Sequence, residues 1–255
     1  MDQLLNQPRP KGTAVDKLLV ALDVPTGTEA LALAERLQDV TGGLKVGSRL
    51  FTTEGPDFVR SLSRGGARVF LDLKFHDIPN TVATAVSAAT SLGVWMVNVH
   101  AAGGLRMMQA ARDAARETAA AEGRTPPLVI AVTVLTSISD AMLEETGARG
   151  PVLDQVLTLA SLTQQAGLDG VVASPQETAR LRRECGPDFV IVTPGIRGGS
   201  ALPLSKDAGK DDQQRTMGPA EAIAAGASYL VVGRPIIAAP NAVKAAQLIA
   251  AELGG

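Results

Sequence analysis

The sequence predicts an α/β protein, a single-domain (β/α)8 TIM barrel, and three observations carry that reading. Eight short apolar runs alternate with helical stretches along 255 residues, which is the strand count and length of such a barrel. The runs are nearly continuous in apolar residues rather than alternating, as befits strands covered on both faces. The hard-to-bury residues that interrupt them gather at the C-terminal ends, the side on which barrels carry their active face. A doubly wound open sheet is the alternative that the same alternation allows.

The first run, LLVALD at 18–23, follows an N-terminal extension over 1–17 that is read as partly flexible, with the barrel occupying 18–255. TEALALAERLQDV at 28–40 then carries helix formers at helical spacing, and GLKVG at 43–47 is the second strand. RVFLDLK at 68–74 is the third, followed by the helix NTVATAVSAATSLG at 80–93. The fourth strand, WMVNVH at 95–100, leads into a long helix at 102–123, and the fifth is LVIAVTVL at 128–135. A helix at 153–167 precedes GVVAS at 170–174, and the last two strands are FVIVTPG at 189–195 and YLVVGRP at 229–235. One segment breaks the rhythm: residues 198–217 are long, polar and rich in glycine and charge. Loops of that length in a compact domain are usually functional or disordered, and the position after strand seven favours a lid over a bound substrate.

Composition narrows the functional classes. With 24 Lys plus Arg against 26 Asp plus Glu, the chain lacks the basic excess of a nucleic-acid or anionic-membrane binder. Aromatic residues make up only 3%, too few for a base-stacking surface. The single Cys185 cannot form an internal disulfide and fits a reducing compartment. No apolar run approaches the roughly 20 residues that cross a bilayer, and the N-terminus has no secretory pattern. These features lead us to expect a cytoplasmic protein acting on a small molecule, with no nucleic-acid or membrane partner.

Strand one ends in Asp23, strand two carries Lys45, and strand three ends Asp72-Leu73-Lys74 and runs into Phe75-His76-Asp77. Strand four ends Asn98-Val99-His100, strand five leads into Thr136, and strand eight ends Gly233-Arg234. A charge at the end of an apolar strand costs on the order of several kcal/mol to desolvate unless it is paired. A single one is explained by a structural ion pair, but four or five converging on one rim point to a site. The densest cluster is D-x-K-x-x-D, formed by Asp72, Lys74 and Asp77. Side chains two apart on a strand share a face, so Asp72 and Lys74 project together toward the barrel mouth, and Lys45 on the neighbouring strand reaches the same space. Carboxylates that close keep the ammonium groups charged, which suits a proton donor better than a Schiff-base nucleophile.

The last two strands point to a different chemistry. TPGIR at 193–197 and VGRPI at 232–236 put glycine and arginine at adjacent corners, where barrels commonly bind phosphate through backbone N–H groups and a guanidinium fork. Arg197 and Arg234 supply the charge. The two histidines, His76 and His100, show no metal-ligand pattern. Trp95, Met107 and Met108 are read as packing residues, and Cys185 as no nucleophile. No GxGxxG follows strand one and there is no P-loop.

LDLKFHDIPNTV at 71–82 resembles the signature of the orotidine 5′-phosphate decarboxylase family. The resemblance extends through LDV (22–24), KVG (45–47), TVLTS (133–137), TPGIR and VGRPI, in order and over nearly the whole chain. The D-x-K-x-x-D core is shared with sister barrels acting on sugar phosphates, some with a divalent metal, and such a decarboxylase or aldolase is the alternative. The continuation Ile78-Pro79-Asn80-Thr81 is what points to the orotidylate family. The resemblance implies decarboxylation of orotidine 5′-phosphate to uridine 5′-phosphate with no cofactor and no metal. It implies that Asp23 and Lys45 hold the ribose hydroxyls, that Asp72 sits against the substrate carboxylate, and that Lys74 delivers the proton. Family members are homodimers with sites at the interface, so Asp77, Ile78 and Thr81 are expected to enter the partner's site. Thr136 and Ser137 match the stretch that reads the pyrimidine edge, and Pro194 borders the base. Arg197, Gln213, Gly233 and Arg234 match the phosphate-binding set, with Gln214 beside Gln213 as the alternative register.

Overall fold

A computed structural model describes residues 13–148, 150–197 and 217–254. Eight parallel strands close in sequence order into a barrel: β1 (Leu18–Ala21), β2 (Gly43–Gly47), β3 (Val69–Phe75), β4 (Met96–His100), β5 (Leu128–Val132), β6 (Gly170–Val172), β7 (Val190–Thr193) and β8 (Tyr229–Val232). The ladder closes where Leu19 of β1 lies opposite Val231 of β8. Closure excludes the doubly wound alternative, because an open sheet has two edges and this one has none.

Ten α-helices surround the strands among the described residues: α1 (Gly27–Leu37), α2 (Ser48–Arg64), α3 (Pro79–Ser91), α4 (Gly104–Ala121), α5 (Asp140–Glu145), α6 (Val152–Gln165), α7 (Pro175–Cys185), α8 (Pro219–Ala224), α9 (Arg234–Ile237) and α10 (Ala242–Glu252). Local chemistry sets their starts. The Thr26 hydroxyl accepts the Glu29 N–H at 3.3 Å to begin α1, and the Asn241 side chain accepts the Lys244 N–H at 3.0 Å to begin α10, each satisfying a donor that the first turn leaves orphaned. Pro79, Pro175 and Pro219 stand in the first turns of α3, α7 and α8, where the missing N–H costs nothing.

α2 is kinked. Gly55 adopts φ 73° in its middle, and Pro56 follows. The left-handed backbone that glycine tolerates breaks the first helical piece, and the proline starts the second.

The core has two layers. Side chains such as Leu18, Val20 and Leu22 of the β1 segment point outward and pack against the helices. The alternate positions point inward, and Leu19, Ala21, Phe70, Met96, Ile130, Val192 and Val231 fill the barrel. Trp95 and Tyr229 pack against this inner cluster from the N-terminal end, with their rings edge to face at 5.2 Å between centroids. Met107 and Met108 are fully buried under α4. The packing roles read for these residues therefore hold. No helix among the described residues is long and apolar enough to cross a membrane.

Strand five is shorter than its apolar run. It ends at Val132 rather than at 135. Beyond it the Thr133 N–H donates to the Val172 carbonyl at 3.3 Å, and the chain then turns, with Ile138 N–H bonding to Leu135 carbonyl at 2.9 Å. Val134 and Leu135 are apolar because they line the barrel mouth, not because they continue the ladder.

Candidate active site

The inward-facing positions change character along each strand. In β1 the series is Leu19, Ala21, then Asp23; in β3 it is Phe70, then Asp72 and Lys74; in β4 it is Met96, then Asn98 and His100. Along each strand hydrocarbon at the barrel floor gives way to polar groups at its mouth, in β3 through a register shift between Leu71 and Phe75.

These charges form one array. Lys45 Nζ lies 3.5 Å from Asp23 Oδ1 and 3.4 Å from Asp72 Oδ2, and Lys74 Nζ donates to Asp72 Oδ1 at 2.7 Å. The series runs Asp23, Lys45, Asp72, Lys74, with opposite charges adjacent at each step. Lys45 is only 9% exposed, and a buried ammonium is tolerated because two carboxylates flank it. Burial pushes the Asp72 carboxyl upward, but Lys45, Lys74 and hydrogen bonds from Lys74 and Asn98 outweigh it and hold the group below its ordinary 3.8. Asp72 is thus a fixed anion between two cations. Gly47 makes room for the array, because a Cβ built there would stand 3.0 Å from Lys45 Nζ.

A cavity of about 280 Å³ opens over the array. Asp23, Lys45, Asp72, Lys74, Thr136, Pro194, Arg197, Gly233 and Arg234 all line it, and the arginine-bearing corner adjoins the array, because β8 pairs with β1 and a Cβ built on Gly233 would stand 3.6 Å from Asp23 Oδ2. Its apolar wall comes from Phe70, Val132, Val134, Leu135, Val172 and Val231. Nine residues expected at the site therefore converge on one space. Sequence reading missed most of the apolar wall, since an inward valine near a strand end looks like any other core valine.

The remaining candidates lie elsewhere. Asp77 is exposed, and its Oδ1 accepts the Ile78 N–H at 2.6 Å. Ile78 is 67% exposed, an unusual position for a large apolar side chain, and Thr81 is exposed one helical turn later. None of the three lines the cavity of its own chain. Ser137 is half-buried next to Thr136 and also stands off the lining. Gln213 and most of the stretch read as a lid, 198–217, lie outside the described residues, as does most of the N-terminal extension. At the neck of that stretch Ile196 and Met217 form a parallel bridge, and the Arg197 N–H donates to the Met217 carbonyl at 3.0 Å.

His100 points inward at the end of β4 and stacks on His76, with ring centroids 5.3 Å apart. Burial first, then the neighbouring His76 and Lys74, hold it below its ordinary 6.5, so it is neutral at neutral pH. No group of three or more His, Cys, Asp and Glu that could hold a metal ion occurs among the described residues.

A closed parallel barrel with an alternating Lys–Asp array on its C-terminal rim, sharing one cavity with an arginine-bearing corner formed by the last two strands, defines an enzyme of the (β/α)8 class. Comparison with known proteins narrows the class. The family model "Orotidine 5′-phosphate decarboxylase / HUMPS family" matches residues 16–249, and the chain belongs to that family. It is 55% identical over 241 residues to the orotidine 5′-phosphate decarboxylase of Moorella thermoacetica, covering 94% of this chain and 93% of that one. It is 51% identical over 238 residues to the Haemophilus influenzae enzyme of the same name, covering 93% and 99%. Among solved structures, the orotidine 5′-phosphate decarboxylase of Lactobacillus acidophilus superposes with a TM-score of 0.80 at 38% identity, covering 93% of this chain and 99% of the other.

Proposed function

We propose that this chain decarboxylates orotidine 5′-phosphate to uridine 5′-phosphate and CO2, the last step of UMP biosynthesis, without a cofactor. The observation that carries the reading is the Asp23–Lys45–Asp72–Lys74 array lining one cavity together with Arg197 and Arg234, in a chain of this family. Losing CO2 from C6 of the pyrimidine breaks the C6–carboxyl bond and leaves its electron pair in an in-plane sp2 orbital, orthogonal to the ring π system that could otherwise delocalise it. The charge must be met by groups already in place. Lys74 Nζ supplies a fixed ammonium at that point and then gives a proton to C6, and solvent restores the proton to the amine. Asp72, next to the departing carboxylate, disfavours the bound substrate more than the product and keeps Lys74 protonated.

The other roles are those the family resemblance implies. Asp23 and Lys45, adjacent on β1 and β2, take the ribose hydroxyls. Thr136 with Ser137 reads the pyrimidine edge, and Pro194 borders the base. Arg197, Gly233 and Arg234, with Gln213 from the lid, take the phosphate. Binding energy from the phosphate, remote from C6, closes the lid and fixes the catalytic charges. The exposed Asp77, Ile78 and Thr81 enter the site of a second copy in a homodimer, and the protein works in the cytoplasm.

Two experiments test this reading. CO2 release from orotidine 5′-phosphate should survive excess EDTA; loss of activity with chelator returns the metal-dependent alternative. Mixing Asp77→Ala subunits with Lys74→Ala subunits should recover activity, because each heterodimer holds one intact site. No recovery despite demonstrated subunit exchange would mean that each site is self-contained.

A further inference from the structure

Between Leu71 and Phe75 the register of β3 against β4 shifts. Leu71 lies opposite Val97 and Phe75 opposite Val99, so four steps along β3 match two along β4. The surplus residues form a bulge containing Asp72 and Lys74, and the residue of β4 facing it is Asn98. Lys74 has φ 54°, the only positive φ of a non-glycine residue among those described. An L side chain resists that conformation, and it persists only where the surroundings impose it.

Asn98 is 0% exposed, and its amide is used at both ends. Its Oδ1 accepts the backbone N–H of Lys74 at 2.8 Å, and its Nδ2 donates to Asp72 Oδ1 at 2.7 Å. That carboxylate oxygen also accepts from Lys74 Nζ at 2.7 Å. One partner is a donor and the other a carboxylate acceptor, so the amide orientation is fixed by chemistry.

We propose that Asn98 is a positioning residue that sets the Asp72–Lys74 pair, holding the strained backbone of Lys74 through one end of its amide and the carboxylate of Asp72 through the other. The inference rests on Lys74 being the proton donor. It adds that the donor's place is set from the neighbouring strand, so the ammonium and carboxylate stay in register with each other and with the substrate. Few side chains can replace it. Alanine leaves the Lys74 N–H and an Asp72 lone pair without partners. Aspartate keeps an acceptor for the N–H but sets a second carboxylate against Asp72.

The test uses the full-length protein as wild type, Asn98→Ala, Asn98→Asp and Lys74→Ala. Misplacing a reacting group by about 1 Å can cost about 100-fold, and a loss of about that size in kcat is expected for both Asn98 variants. KM for orotidine 5′-phosphate and the affinity for uridine 5′-phosphate should stay within about threefold, because the ribose and phosphate contacts are untouched. Three outcomes overturn the proposal: kcat within about threefold of wild type in both variants, affinity for uridine 5′-phosphate falling in step with kcat, or failure of both variants to fold. The last two would make Asn98 a support of the barrel as a whole. The controls separate this inference from the activity it rests on. Active Asn98 variants beside an inactive Lys74→Ala remove only the positioning role, an active Lys74→Ala removes the proton-donor role on which the inference rests, and an inactive wild type removes the decarboxylase assignment itself.

Discussion

The two ends of the barrel solve opposite problems with neighbouring residues of the same strands. At the N-terminal end Arg68, just before β3, lies with its guanidinium carbon 3.9 Å from the ring centre of Trp95, just before β4. Arg68 Nη1 also reaches Asp16 Oδ1 at 3.6 Å, and Trp95 meets Tyr229 of β8 edge to face. Here a cation is spread over a π face and balanced by one carboxylate, and the floor is sealed. At the C-terminal end Lys45, Asp72 and Lys74 are balanced by one another rather than by a π face and line an open cavity. The floor charge caps the packing, whereas the mouth charges are held against it. Only one inward position, Asp72, separates Phe70 from Lys74 on β3, so this strand is a gradient from stability to chemistry.

Four substitutions probe that contrast, starting with the largest effect. Lys74→Ala should lower kcat at least about 1,000-fold, about 4 kcal/mol at the transition state, with the melting temperature little changed; a variant keeping a tenth of the wild-type rate would show that the mouth does not depend on this amine. Trp95→Ala should do the reverse. A stability loss of about 3 kcal/mol, seen as a Tm lower by about 10 °C in a domain of this size, should leave kcat intact well below the transition. If kcat fell with Tm, the two ends would be coupled and the contrast would fail. Arg234→Ala should weaken uridine 5′-phosphate binding about 30-fold, about 2 kcal/mol, by isothermal titration, and an unchanged affinity would move the phosphate elsewhere.

The smallest effect is a pH slope. His100 is held below 6.5 by burial and by the neighbouring His76 and Lys74, so as pH falls below 6.5 the unfolded chain takes up a proton before the native one does. Native stability should therefore decline below that pH. Asp72 is also held low, but its window opens only below 3.8, leaving the two separable. Calorimetric scans of His100→Gln should show a flatter dependence of Tm on pH just below 6.5 than the wild type, and an unchanged slope would remove His100 as the group responsible.

Much of this was legible in the sequence because strand periodicity is rigid. Asp72 and Lys74, two apart at the end of an apolar strand, are expected to share a face, and they do meet at 2.7 Å, although the strand bulges there and Lys74 leaves the extended conformation. Eight runs favour a closed barrel over an open sheet, and the ladder between β1 and β8 decides between them. The first half of α2 was harder to read, because Gly55 and Pro56 interrupt its helical pattern. The end of β5 was misplaced because Val134 and Leu135 look like strand but line the mouth. Asn98 stood out as a polar residue at a strand end, yet its double bond to Lys74 and Asp72 depends on a register shift between two strands, and pairing register across the β3–β4 crossover is not written in either strand alone.

The floor has an optical consequence. The chain has one Trp and one Tyr, and both rings meet there. Excitation of Tyr229 should pass to Trp95 at this distance, so the folded protein should emit almost wholly as tryptophan. That emission reports on the closed end of the barrel. Nucleotide entering at the opposite end should leave it nearly constant, whereas unfolding should shift it to the red and release a separate tyrosine band. The protein thus carries an internal reference for separating loss of the fold from loss of the site.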